Sequence, residues 1–197
     1  MVKRVKLKNK SKYRNIGFII VFLSILLPVL KTNTDTFRVE ANAREIESYI
    51  ANTIDNSNNL YSGKYIAVIE IPDINLKQGL TEFDSKFNNV KYNIQRINDI
   101  TPDSYNGNII LASHSGNSRV AYFNNLDKLS NDSLIYIYYN GIKYIYKLDY
   151  SYSVSKDDSV TIIRNKDKFT ITLITCSKIT DDTQIIYIGY LINKVDY

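Results

Sequence analysis

Leu134–Tyr150 reads LIYIYYNGIKYIYKLDY, two β-prone runs on either side of Asn140-Gly141. Isoleucine and tyrosine suit a pleated, half-buried surface. A two-residue hairpin turn needs positive φ at both central positions, and Asn-Gly is the pair that accepts this most readily. The stretch therefore predicts two antiparallel strands, Leu134–Tyr139 and Ile142–Tyr150, joined by a tight turn. Similar runs flank the hairpin. Tyr65–Ile71 (YIAVIEI) stops at Pro72, and Ile109–Ala112 is a short apolar run just before a histidine. Lys168–Thr175 (KFTITLIT) runs into a cysteine, and Gln184–Ile192 (QIIYIGYLI) lies near the end. Short strands at regular spacing with little helix argue for a mainly β domain, closed or sandwiched and antiparallel, from about Tyr61 to Tyr197.

Upstream of the strands the pattern changes. Residues 31–60 are polar, but Val39, Ala43, Ile46, Ile50 and Ile54 recur at helical spacing. They predict an amphipathic helix over Val39–Ile54, within a stalk or packed on the domain. Before it, Ile16–Leu30 (IGFIIVFLSILLPVL) carries no charge in fifteen residues. A comfortable helical membrane span takes roughly 20 apolar residues, so this one needs local thinning and snorkelling by Arg14 and Lys31. The competing reading is a cleaved export signal. Ala41-Asn42-Ala43 offers the small-residue pattern, but about a dozen residues past the apolar run, further than a signal peptidase usually accepts. Both readings leave the basic side in the cytoplasm and export the rest. The expected layout is a basic tail (1–15), an anchor helix (16–30), a stalk (31–60) and an extracellular β-domain (61–197).

The chain has 197 residues, one cysteine, one histidine, no tryptophan and a net charge of +5. One cysteine excludes an intrachain disulfide and any Cys-rich metal site. The charge invites a nucleic-acid reading, which its distribution removes. Lys3, Arg4, Lys6, Lys8, Lys10, Lys12 and Arg14 sit in the first fifteen residues, with no acid among them. Taking those seven from 25 cations leaves 18 against 20 acids, so the remainder is about −2. Such a domain lacks the positive footprint of a nucleic-acid binder. Asp181-Asp182, Glu70 and Asp73 lack the spacing of a calcium loop and read as scattered carboxylates.

Cys176 and His114 matter as a pair. The exported domain holds one thiol and one imidazole, each at the end of a predicted strand and among small polar residues. A thiol becomes a useful nucleophile near neutral pH when a base or cation is close, and imidazole is the side chain that ordinarily titrates there. The spacing is 62 residues, with His first.

Longer motifs surround both residues. NIILASHSGNSRVAYFNNLDKL (Asn108–Leu129) resembles the histidine motif of the sortase family: strand, His, Gly, loop, aromatic pair, then Leu-x-x-Leu. ITLITC (Ile171–Cys176) is similar to the sortase TLxTC signature. YIAVIEIPDINL (Tyr65–Leu76), SLIYIYYNGIKYIYKL (Ser133–Leu148) and QIIYIGYLI follow in the family's order, so the similarity covers about residues 61–197. It implies a closed eight-stranded β-barrel with short helices behind an N-terminal membrane anchor. It also implies a cysteine transpeptidase that cuts a C-terminal, LPxTG-like sorting signal and joins the new carboxyl end to an amine. Cys176 would be the nucleophile and His114 the general acid, then base. Thr175 would shape the substrate pocket. The partners would be surface-protein sorting signals and an amine acceptor, a cell-wall cross-bridge or a pilin lysine. These roles imply no cofactor.

One position departs from the family pattern. Where sortases carry an arginine at the start of the last strand, this chain has Gln184. Glutamine keeps a donor but loses the charge and the fork. Three readings stay open: Gln184 as a weaker donor, Arg119 reaching in from the loop after His114, or an impaired enzyme. Two other classes are weighed against a sortase. L,D-transpeptidases place His-Gly directly before the cysteine, and papain-like enzymes place the cysteine before the histidine; neither order occurs here. A tethered, non-catalytic β-module for surface assembly is the non-enzymatic alternative, kept open by Gln184.

Overall fold

The computed structural model describes residues 10–54, 64–104, 106–156 and 160–197. The first nine residues of the basic tail and the domain's expected start at Tyr61 lie outside them. The chain divides into two compact units, Met1–Arg44 and Glu45–Tyr197. Helix α1 is Lys10–Ile54, with Pro28 inside it. It ends where the periodicity ends but begins far earlier than Val39, because no glycine or proline interrupts residues 31–38. The buried positions near its end are Ile46 and Tyr49, while Val39 stays exposed. The expected apolar face is thus shorter than the spacing suggests. Among the described residues no helix is long and apolar enough to cross a membrane.

The second unit holds eight strands: β1 Ala67–Ile71, β2 Leu76–Leu80, β3 Gln95–Arg96, β4 Asn108–Ala112, β5 Leu134–Tyr139, β6 Ile142–Ser155, β7 Thr170–Cys176 and β8 Thr183–Asp196. They form one sheet in the order β2-β1-β5-β6-β8-β7-β4-β3. The β5–β6 turn has φ of 50° at Asn140 and 74° at Gly141, as the Asn-Gly pair requires. Two short 3-10 turns, Pro72–Ile74 and Leu126–Lys128, complete the unit.

The sheet curls into a nearly closed barrel. β2 and β3 are its two edges and do not pair with each other. A side chain bridges them instead. Asn93, two residues before β3, donates to the Gly79 carbonyl at 2.9 Å and accepts from Gln78 Nε2 at 2.8 Å. All three residues are buried or part of a buried bond, so the amide takes the place of missing ladder bonds. The core within includes Ile69, Ile109, Leu111, Phe123, Ile137, Tyr146, Ile171 and Leu173, each nearly inaccessible.

The expectation of an antiparallel fold needs one correction. β4 and β7 pair in parallel, from Asn108↔Thr170 to Ala112↔Ile174. Adjacent parallel strands need a long crossover, which here runs through β5 and β6. This pairing positions the site.

Two outer faces are covered. Ile46, Ile50 and Tyr49 of α1 pack on Tyr65, Val68 and Tyr138, and the Tyr49 hydroxyl donates to the Ile66 carbonyl. On the other side Ile186, Ile188 and Tyr190 of β8 lie beneath Val160 and Ile162. Tyr150 and Tyr152 tie that strap down through hydroxyl bonds to the carbonyls of Ile163 and Thr161. Glu70 and Asp73 accept hydrogen bonds from Tyr138 and Ser133, which gives both carboxylates structural partners.

Gly79 is required by its neighbour. A Cβ there would lie 2.3 Å from the ring of Tyr65, itself 1% exposed. Overpacking of this kind typically costs about 1–3 kcal/mol. Gly79→Ala is expected to lower the urea midpoint accordingly, at unchanged slope; an unchanged midpoint would mean that the Tyr65 ring moves aside freely.

Candidate active site

The site is built where β4 and β7 end side by side. Just past the last register pair, Ser113 N–H donates to the Ile174 carbonyl at 3.1 Å. Thr175 Oγ1 donates to the Ser113 carbonyl at 2.9 Å, and Ser115 Oγ donates to the Cys176 carbonyl at 2.8 Å. These three bonds lace residues 113–115 to 174–176. Ile110 opposes Thr172 and Ala112 opposes Ile174, so two residues further His114 falls alongside Cys176. Side chains alternate along a strand. His114 and Cys176 therefore share one face of the sheet, the face opposite to core residues Leu111 and Leu173.

His114 is exposed and Cys176, a free thiol, is half-buried. The loop after His114 is pinned rather than loose. Phe123 N–H donates to the His114 carbonyl at 3.2 Å, and Gly116 N–H donates to Asn124 Oδ1 at 2.9 Å. Gly116 adopts φ 106°, which lets the chain turn back within a few residues.

Gln184 is the direct partner of Cys176 across the β7–β8 ladder, and of Val154 across β8–β6. Directly opposed residues of an antiparallel pair point to the same side. Cys176, Gln184 and Val154 thus form a row. The Gln184 Oε1 is buried and has no donor among the described residues. Thr175 points the other way, buried, and braces the strand end through Ser113.

Two hollows meet at Cys176. One, of about 680 Å³, is lined by Ser115, Gly116, Asn124, Lys156, Lys178 and Asp181 among others. The second, of about 290 Å³, has a more apolar floor with Phe123, Tyr152, Ile185 and Tyr187, and Thr175 also contributes to it. Burial pushes the Tyr187 phenol up, with the nearby Asp127 carboxylate adding to it, so Tyr187 presents a neutral hydroxyl. Lys178 Nζ is bonded to both oxygens of Asp127, at 3.0 and 3.1 Å.

The fold thus brings together all four residues singled out in the sequence: His114, Cys176, Gln184 and Thr175. Cys176 lines both hollows and Thr175 the second, whereas His114, Gln184 and the exposed Arg119 on the loop after His114 line neither. Sequence reading gave no site role to Lys156, Asn124 or Tyr152, and took Ser115 only as one of the small polar residues around His114. The alternation YSYSVS over Tyr150–Ser155 carried a usable signal, because it extends β6 to Ser155 and so delivers Lys156 to the same end of the barrel.

The family model for the sortase domain matches residues 69–191, which contain every one of these positions. The chain belongs to the sortase family. Solved sortases share its architecture. Sortase A of Listeria monocytogenes is 20% identical, with 68% of this chain and 91% of that chain covered, at a TM-score of 0.57. A sortase D5 transpeptidase from Clostridium perfringens is 25% identical, with 78% and 95% covered, at 0.56. Sortase C of Streptococcus pneumoniae is 17% identical, with 68% and 69% covered, at 0.57. A comparison with curated protein sequences returned no match. Within the sortase domain, then, an uncharged glutamine faces the cysteine across the β7–β8 ladder.

Proposed function

We propose that this sortase is a cysteine transpeptidase anchored outside the cell, acting on C-terminal sorting signals of the LPxTG kind. The observation that carries the reading is the parallel β4–β7 register, which brings His114 alongside Cys176, and Cys176 lines an open cavity. Cys176 Sγ adds to the scissile carbonyl and forms a thioacyl bond. His114 gives a proton to the departing amine, so that the C–N bond breaks with a neutral leaving group. An incoming amine then loses its proton to His114, attacks the thioacyl carbon and frees the thiol. Gln184 offers its amide N–H to the substrate, as a weaker donor than a guanidinium. Thr175 holds the end of β7 in register beneath the peptide. The acceptor is an amine of a cell-wall cross-bridge or a pilin lysine, and sortase C of Streptococcus pneumoniae is described with pilin substrate specificity.

The apolar run Ile16–Leu30 lies within α1. In this reading it holds the protein in the cytoplasmic membrane, with residues 1–15 inside. No nucleic acid and no cofactor takes part.

Trapping tests the proposal. The protein is incubated with LPxTG-like peptides in the absence of an amine, quenched in acid and examined by mass spectrometry. A thioacyl adduct on the peptide containing Cys176 is expected, and it should disappear on adding hydroxylamine or a glycine-based amine. No adduct with any sorting-signal peptide would sink the proposal. Gln184 favours a second reading, a tethered β-module that has lost catalysis. That reading requires Cys176 to alkylate no faster than a free peptide thiol and to be indifferent to His114→Ala.

A further inference from the structure

The row of residues beside Cys176 raises the question of where positive charge comes from. Thiol chemistry near neutral pH draws on a nearby cation, and a carbonyl under attack develops negative charge on its oxygen. The residue directly opposite Cys176 is the uncharged Gln184, whose Oε1 is buried without a donor among the described residues.

One step along the same face lies a lysine. Val154 opposes Gln184, and Ser155 opposes Thr183. Lys156 N–H donates to the Asp182 carbonyl at 2.7 Å, continuing the ladder one residue past β6. Alternation returns Lys156 to the face that carries Val154, Gln184 and Cys176. It lines the same 680 Å³ cavity as Cys176. The other charged groups lining that cavity are Lys178 and Asp181. Lys178 is already neutralised by Asp127, whereas Lys156 forms no ion pair among the described residues.

We propose that Lys156 is the cation of this active site, favouring the Cys176 thiolate and the oxyanion that forms on thiol attack. Its ammonium acts as a point charge with rotatable donors, not as a planar fork. It can donate to the substrate oxygen or to Gln184 Oε1 without demanding one fixed geometry. The proposal rests on the transpeptidase reading, and it locates the charge on the strand end of β6 instead of on β8.

The test compares Lys156→Gln, Lys156→Arg and Lys143→Gln in the full chain. Lys143 sits by the Asn140-Gly141 turn, at the opposite end of β6. Alkylation of Cys176 by iodoacetamide at pH 7 is expected to slow roughly three- to tenfold in Lys156→Gln, as for a unit charge lost across a partly solvated cleft. Lys156→Arg should stay within about twofold of the parent, and Lys143→Gln should not differ. The gap should narrow in 1 M salt, where the Debye length is about 3 Å. Circular dichroism reports that each variant is folded. Parent-like alkylation of folded Lys156→Gln overturns the proposal, and so does equal slowing in Lys143→Gln. Alkylation needs no substrate. If the parent fails to turn over any sorting peptide while Lys156→Gln still slows alkylation, the placement of the charge stands and the transpeptidase reading falls.

Discussion

Cys176→Ala is expected to abolish transpeptidation of an LPxTG-like peptide to an amine, a loss of at least about 10⁴-fold that reaches the assay floor. The proposed reaction passes entirely through a bond to sulfur, and alanine offers no atom to form it. The same substitution is expected to leave the fold intact. Cys176 is half-buried, and the local bond at this residue uses its backbone carbonyl, which accepts from Ser115 Oγ. Alanine retains that carbonyl. Stability should therefore change by less than about 1 kcal/mol, in contrast to Gly79→Ala. The measurement is a coupled one: peptide turnover by chromatography and thermal unfolding on the same preparation. Turnover that survives in Cys176→Ala would sink the nucleophile assignment, and parent-like unfolding keeps the expected loss from being ascribed to loss of structure.

Much of the barrel was legible because its strands are dense in isoleucine and tyrosine. β5 begins and ends where the sequence predicts, since Asn140-Gly141 fixes the turn. β2 was not legible. LKQGL has no clean alternation, and its glycine is there to admit the ring of Tyr65, fifteen residues earlier in the chain than β2's end. β3 spans two residues, and the barrel closes next to it through one asparagine side chain. A side-chain bridge leaves no periodic trace. The strands β6 and β8 also run on past their expected ends, β6 in a tyrosine–serine alternation that a period-2 reading would have extended.

The candidate pair was legible in the sequence, but its geometry was not. His114 and Cys176 stand out because each is the sole residue of its kind in the chain. What relates them is the parallel β4–β7 pair, a contact between segments about sixty residues apart inside an otherwise antiparallel sheet. Hairpin logic cannot supply it, because hairpins join neighbours. The same non-local pairing hid Lys156, which reaches the cavity only through the register of three strands.

His114→Ala is the second large expected effect, a fall in kcat/KM of about 10²–10⁴-fold with the Cys176 thioacyl route still open. The physical reason lies in the leaving group. An amine expelled from a tetrahedral intermediate must gain a proton as the C–N bond breaks, and His114 is the residue that the lacing of residues 113–115 brings alongside Cys176. Its side chain is exposed, and its carbonyl, not its ring, receives the Phe123 N–H. The substitution should thus spare the loop and the fold. A structural role would cost the same with every substrate, whereas a proton donor should not. With a depsipeptide, in which an ester replaces the scissile amide, the alkoxide leaves more readily and the penalty should shrink by at least about tenfold. Added imidazole should restore part of the amide activity by occupying the space the ring leaves at the exposed mouth of the site. Amide turnover within threefold of the parent, or an equal penalty on ester and amide, would remove His114 from proton transfer and leave Cys176 without its acid.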